Sequence, residues 1–364
     1  MKVPYVDFSG QYALEKRKLM AAIDKTLSGG EYILGRQVED FEKELAALCG
    51  AKYALGVANG TDALVLILKA LGIGPGDEVI TAPNSFVASA SCIALVGARP
   101  VFVDVKDNQL MDPAKLAKAL TPRTKAIIPV HLTGKICDME AINAFARKHK
   151  LHVIEDAAQA IGALRHGKAA GSFGIAATFS FHPLKNLNAA GDAGAVVTSD
   201  PALADKIRLL RNHGLKSRNE VVFWGYNSRL DSIQAAILQS RLKNLDKVIA
   251  ARRRNADLYR KGLSGVVDCP KDERGCQDAY HLFVIQADRR DALQAHLQEN
   301  GVSTGVHYPV PIHLQAPCKT LGCREGDFPD CERQSLRILS LPIHQYLKPA
   351  QIQHVIKSIK EFYR

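Results

Sequence analysis

Lys125-Ala126-Ile127-Ile128-Pro129-Val130 is a short apolar run. Asp138 then opens a helical-period segment reaching residue 149, and Leu151-His152-Val153-Ile154-Glu155 is a second apolar run. Strand, helix and strand in this order make a βαβ unit, which requires parallel strands and a right-handed crossover. The same alternation continues upstream. Pro100–Val105 reads as a Val-rich strand, followed by a helix from Pro113 to Leu120 with Asp112 as its N-cap. Residues 86–96 read as a helix, Glu78–Thr81 as a strand and 61–71 as a buried helix. The class is therefore α/β with a mostly parallel sheet, and a ligand belongs outside the carboxyl ends of the strands.

Beyond residue 201 the pattern turns to long helices, with 232–262 read as one, then shorter strands and a terminal helix at 349–363. This places a domain boundary near 245, giving a large domain over 1–245 and a smaller one over 246–364. The chain has 364 residues, 47% hydrophobic and 23% charged, enough for a sizeable core and incompatible with bulk disorder. The net charge of +11 suits an anionic substrate or a polyanion. Nothing resembles a base-stacking platform, and the Arg252-Arg253-Arg254 run, its side chains diverging on a helix, reads as a solvated face rather than a nucleic-acid patch. The eight Cys include no C-x-x-C pair. Cys318, Cys323 and Cys331 near His313 are poorly spaced for zinc, so no metal is expected and the thiols read as free. With no apolar leader and no run long enough to span a bilayer, a cytoplasmic protein is expected.

Three segments carry chemistry in combination. Asn59-Gly60-Thr61 opens a helix, where free amides and a partial positive charge suit a phosphate. Val153-Ile154-Glu155-Asp156 ends a strand in a carboxylate. Lys185, in Ser180-Phe181-His182-Pro183-Leu184-Lys185, follows a strand in a Gly- and Ala-rich loop, where lost solvation lowers an amine's pKa. Each alone is ordinary: a cap, a turn, a solvated lysine. All three follow parallel strands, converge on one edge of the sheet, and make the set that pyridoxal phosphate requires.

Together with Glu31-Tyr32-Ile33-Leu34-Gly35, Thr121-Pro122-Arg123-Thr124-Lys125-Ala126 and Gly225-Tyr226-Asn227-Ser228-Arg229-Leu230-Asp231, these segments resemble the DegT/DnrJ/EryC1/StrS family of sugar aminotransferases. The resemblance implies the fold type I architecture of pyridoxal-phosphate enzymes: a three-layer α/β/α large domain plus a small C-terminal α+β domain. It implies that Lys185 forms the Schiff base and shuttles a proton, and that Asp156 partners the pyridinium. Gln159 would lie against the ring, Phe86 would stack on it, and Gly60, Thr61 and Ser180 would hold the phosphate. Asn227 would contact the phosphate of the partner subunit's cofactor and Arg229, also across the interface, the amino donor's carboxylate, in a homodimer with shared sites. His307 and Tyr308 would line the sugar site. A dehydratase branch carries His in place of the lysine, so Lys185 argues for transamination.

The activity so implied moves an amino group from glutamate to a keto sugar on a nucleoside diphosphate, with the 3-keto position best matched and 4-keto sugars and keto-cyclitols as alternatives. Nucleic acid and membrane are not expected partners. One departure is that Gly191-Asp192-Ala193-Gly194 has Ala193 where the resemblance leads one to expect a glycine at the third position. The other is that Ala190 stands where an aromatic is common, which suggests a wider sugar pocket.

Overall fold

The computed structural model describes residues Met1–Arg364. Seven strands form the central sheet: β1 (Tyr53–Val57), β2 (Glu78–Thr81), β3 (Arg99–Phe102), β4 (Thr124–Ile128), β5 (His152–Asp156), β6 (Ala176–Ser180) and β7 (Gly194–Thr198). Their order is β1-β7-β6-β5-β4-β2-β3. Six run parallel; β7 is antiparallel to both neighbours, pairing Val57 with Gly194 on one side and Ser180 with Gly194 on the other. The strands carrying the three chemical segments are thus parallel, but β1 is not adjacent to β6 as successive strands would be. A hairpin return through residues 181–193 inserts β7 between them.

The sheet is buried on both faces, as a parallel sheet must be. Alternate residues of β7 show it: Ala195 and Val197 face one core, Val196 the other. After α1 (Phe8–Gly29), which packs on the helix Ser232–Leu242, the first face carries α2 (Arg36–Cys49) and the helices Met139–His149 and Ser232–Leu242. On the second lie α3 (Gly60–Ala70), α4 (Ala88–Leu95) and the helix Pro201–Leu210. Helix α3 is apolar all round, with Leu64, Leu66, Ile67 and Leu68 fully buried, because sheet and helices enclose it. Each such side chain contributes about 1.5–3 kcal/mol of burial.

The helix expected over 232–262 is two helices, Ser232–Leu242 and Leu245–Leu263, interrupted at Lys243-Asn244. Periodicity did not reveal the break, since neither residue is Gly or Pro. The Pro113 segment is likewise split, into a 3-10 turn and a four-residue α-turn. A separate core follows, built on Tyr259, Phe283, Leu293, Leu339 and Ile352, with the antiparallel pair Phe283–Gln286 and Ile338–Leu341. Val3 packs into this core too, bridging from the other end of the chain.

Candidate active site

The carboxyl ends of β1, β5 and β6 open into one cavity of about 740 Å³. At the first, Asn59 caps α3: its Oδ1 accepts from the Asp62 amide at 2.8 Å, and its carbonyl takes the Ala63 amide. That leaves the amides of Gly60 and Thr61, at the positive end of the helix, for a ligand. Ser228 braces the turn, accepting from the Ala58 amide and donating to Asp62 Oδ2 at 2.6 Å. The approach is tight. A Cβ on Gly60 would stand 2.9 Å from that of Ser180, and one on Gly194 only 2.3 Å from the Asn59 carbonyl carbon. Of the expected loop glycines, Gly194 therefore has a steric reason to be glycine, while Ala193 packs into the core and leaves the turn intact.

Asp156 is the last residue of β5 and is buried. Its Oδ1 accepts from the Ala158 amide at 3.2 Å, and no cationic side chain lies within salt-bridge distance. Burial pushes its carboxyl above the usual range, against the pull of that amide, Lys185 and His131. A buried carboxylate short of a positive partner is what a protonated pyridine nitrogen satisfies. Behind it, Glu155 is fully buried and accepts from the amides of Gly171, Phe173 and Gly174 and from His131 at 2.9 Å. This buried cluster fixes the end of the strand and, with it, Asp156.

Lys185 follows β6 and also lines the cavity; burial lowers its amine to about 8, against the opposing charge of Asp156. Gln159 lines the cavity with its Oε1 bound to the Thr133 amide at 2.7 Å. Phe86 is 56% exposed, too open for a core residue, and its ring centroid lies 5.9 Å from that of Tyr308. Thr61, Ser180, His307 and Tyr308 complete the expected set along the walls. Two expected residues are absent from this chain's own cavity: Asn227 is exposed, and Arg229 bonds Asn212 at 3.0 Å. Ala190 is also outside it. Its amide bonds Gln234 Oε1, so its small size does not widen this cavity within one chain.

The sequence reading missed another wall. Tyr5, His281, His344 and Arg252 all line the cavity. Arg252, read as part of a solvated face, is 6% exposed and donates to the carbonyls of Tyr280 and His281, while Arg254 alone of the run is exposed. A helical wheel shows that three consecutive arginines diverge, but not which one meets the facing segment. No helix is long and apolar enough to cross a membrane.

The sequence model of the DegT/DnrJ/EryC1/StrS aminotransferase family matches residues 14–360. A "pleiotropic regulatory protein" from Geobacillus stearothermophilus is 46% identical over 369 residues, covering 100% of this chain and 99% of that protein. The dTDP-3-amino-3,4,6-trideoxy-alpha-D-glucose transaminase of Streptomyces venezuelae is 42% identical over 364 residues, with 99% and 96% covered. The crystal structure of S. venezuelae DesV in complex with a ketimine intermediate superposes with a TM-score of 0.97 at 42% identity, covering 100% of this chain and 99% of that one. A match along nearly its whole length, with the cradle, carboxylate and lysine gathered at one sheet edge, means that the chain belongs to the DegT/DnrJ/EryC1/StrS aminotransferase family.

Proposed function

We propose that this protein is a pyridoxal-phosphate aminotransferase that transfers the amino group of L-glutamate to a keto sugar carried on a nucleoside diphosphate, at C3 of the sugar. The observation that carries the reading is the joint opening of the Gly60–Thr61 amides, Asp156 and Lys185 into one cavity. The name of the Streptomyces relative supports the 3-position.

Bound there, pyridoxal phosphate supplies an electron sink for the carbon that loses its proton. The chain's own residues do the rest. The Gly60 and Thr61 amides, with the hydroxyls of Thr61 and Ser180, take the phosphate. Asp156 would keep a proton on the pyridine nitrogen, and Phe86 and Gln159 would contact the ring. Lys185 Nζ would take the proton from the donor's α-carbon and carry it across the site. Burial lowers this amine to about 8, which favours its unprotonated form relative to an ordinary lysine. His307 and Tyr308 bound the side on which the sugar enters.

We further propose a homodimer in which Asn227 and Arg229 complete the partner's site. The exposed apolar cluster of Val221, Val222 and Trp224, the last 92% exposed, beside residues absent from their own cavity supports this. A division into domains near residue 245 and a cytoplasmic location, supported by eight free cysteines, belong to the same reading. The test is incubation with L-glutamate and a panel of 3-keto and 4-keto sugar nucleotides, with the amino product identified by mass and NMR. Production of 2-oxoglutarate with a 3-amino sugar supports the reading, and no amino transfer to any keto sugar refutes it.

A further inference from the structure

We propose that Arg252 binds a substrate carboxylate in the same cavity as Lys185. The inference rests on the transaminase reading and names a subsite of it. Arg252 projects from the helix Leu245–Leu263, nine-tenths buried, with no acidic side chain within ion-pair distance. Its Nη1 is engaged by the carbonyls of Tyr280 and His281 at 3.1 and 3.2 Å. Its Nε is buried without a partner, and Nη2 makes no hydrogen bond. The free edge of the guanidinium is thus Nε with Nη2, whose two parallel N–H bonds match the two oxygens of a carboxylate. A buried guanidinium without an anion is unfavourable, and burial lowers this one to about 10.

The surroundings favour a single negative charge. His281 Nδ1 and His344 Nδ1 are buried in the same wall, each without a partner, and Tyr5 Oη, near the Ser340 hydroxyl, stands beside them. Burial holds His281 neutral, reinforced by the charges of Lys185 and Arg252, and lowers His344 to about 4. One guanidinium set among neutral side chains carries charge for a single carboxylate rather than for a diphosphate. Arg252 and Lys185 line the same cavity as His281, so an anion held by Arg252 shares the space into which the amine opens. Two substrates could present such a group: the amino donor, whose α-carboxylate is one bond from the reacting carbon and whose side-chain carboxylate is left for Arg229, or an acidic keto sugar.

The experiment uses the cofactor-loaded enzyme and its Arg252→Gln and Arg252→Lys variants, with cofactor content and thermal midpoint measured for each. Absorbance follows the single-turnover half-reaction with L-glutamate and with L-isoglutamine, its α-amide, then the second half-reaction with a keto uronate nucleotide and its neutral counterpart. If the donor is the source, Arg252→Gln raises the glutamate concentration for half-saturation about 30-fold and Arg252→Lys about 10-fold, as for loss of a bidentate ionic hydrogen bond. The wild-type preference for glutamate over its α-amide then disappears in Arg252→Gln. If the sugar is the source, the same selective loss falls on the uronate and spares the neutral sugar.

Equal losses toward acid and amide, and toward both sugars, would mean that Arg252 only holds the 280–281 backbone, which overturns the proposal. So would unchanged saturation in every arm. Should Arg252→Gln fail to fold, Arg252→Lys decides, since it keeps the charge and loses the fork. Calorimetry with 2-oxoglutarate and the uronate separates the two readings. A wild-type enzyme that binds them but aminates no keto sugar refutes the proposed function alone, whereas unchanged affinity of both ligands for the variants refutes the Arg252 site alone.

Discussion

Replacing Gly194 with alanine tests the phosphate cradle without touching a charged or hydroxylic group. Gly194 opens β7, and its missing side chain faces the turn between β1 and α3. A Cβ there would stand 2.3 Å from the Asn59 carbonyl carbon, 2.4 Å from its oxygen and 2.8 Å from the Gly60 nitrogen. Neither side yields as a flexible side chain would, because every clashing atom is backbone and β7 is paired on both edges. Restoring ordinary contact moves the Asn59–Gly60 turn by about 1 Å, and overpacking of this kind costs roughly 1–3 kcal/mol of stability. A displacement of that size at a positioned group lowers its effectiveness about 100-fold. We expect Gly194→Ala to fold, to melt several degrees lower and to bind pyridoxal phosphate about 100-fold more weakly, by absorbance titration. Gly60→Ala, with its smaller overlap of 2.9 Å to the Ser180 Cβ, falls between it and wild type. Gly29→Ala meets no atom within 4 Å and serves as the control with unchanged affinity. A folded Gly194→Ala enzyme with wild-type cofactor affinity would refute the placement of the phosphate at this turn.

Lys185→Ala abolishes turnover and the yellow colour of bound cofactor, and Lys185→Arg does the same because a guanidinium stays protonated; turnover at the wild-type rate in either variant would remove Lys185 from the chemistry. Only the unprotonated amine captures the cofactor's aldehyde, and burial lowers its pKa, so the capture rate by cofactor-free protein rises with pH and levels off above about 8 in stopped-flow absorbance. A rise continuing toward the ordinary lysine range contradicts that burial. Asp156→Asn keeps the cofactor but loses about 100-fold or more in transamination rate, since an amide cannot hold the pyridine proton, whereas Asp156→Glu loses less; near-normal rates in Asp156→Asn reduce it to a turn-capping residue. Co-refolding equal amounts of inactive Lys185→Ala and Asn227→Asp restores roughly a quarter of wild-type activity if the sites are shared and the chains pair at random. Hybrids confirmed by mass but inactive place Asn227 at its own chain's site or none.

Much of the site was legible in local sequence because its parts are local objects. Asn59-Gly60-Thr61 is a helix start wherever it occurs, Asp156 ends a strand by the pattern Val153-Ile154-Glu155-Asp156, and Lys185 follows a strand. Parallel strands joined by helices then bring such ends together. The same holds for the α/β class, which follows from the alternation of periods two and 3.6. Pairings between distant segments had no such signal. β7 lies between β1 and β6, so the edge of the sheet depends on a hairpin that strand periodicity does not announce. The helix over 232–262 breaks at Lys243-Asn244, two residues that are acceptable inside a helix; Leu245 and Ile249 beyond the break still pack in the core of Ala235 and Leu238, and it is the later Ala256, Tyr259 and Leu263 that reach the C-terminal core.

The amino-acid order by itself therefore determined which residues could do the chemistry: a phosphate cradle, a strand-end carboxylate and a loop lysine, each defined by neighbours a few positions away. Only the tertiary structure decided which further residues stand with them. Tyr5, Arg252, His281 and His344 are separated by up to 339 positions, and they meet because the chain's first residues pack on its C-terminal core. Whether an arginine on an amphipathic helix meets water or a cavity depends on what folds across it, and no periodicity within the helix encodes that.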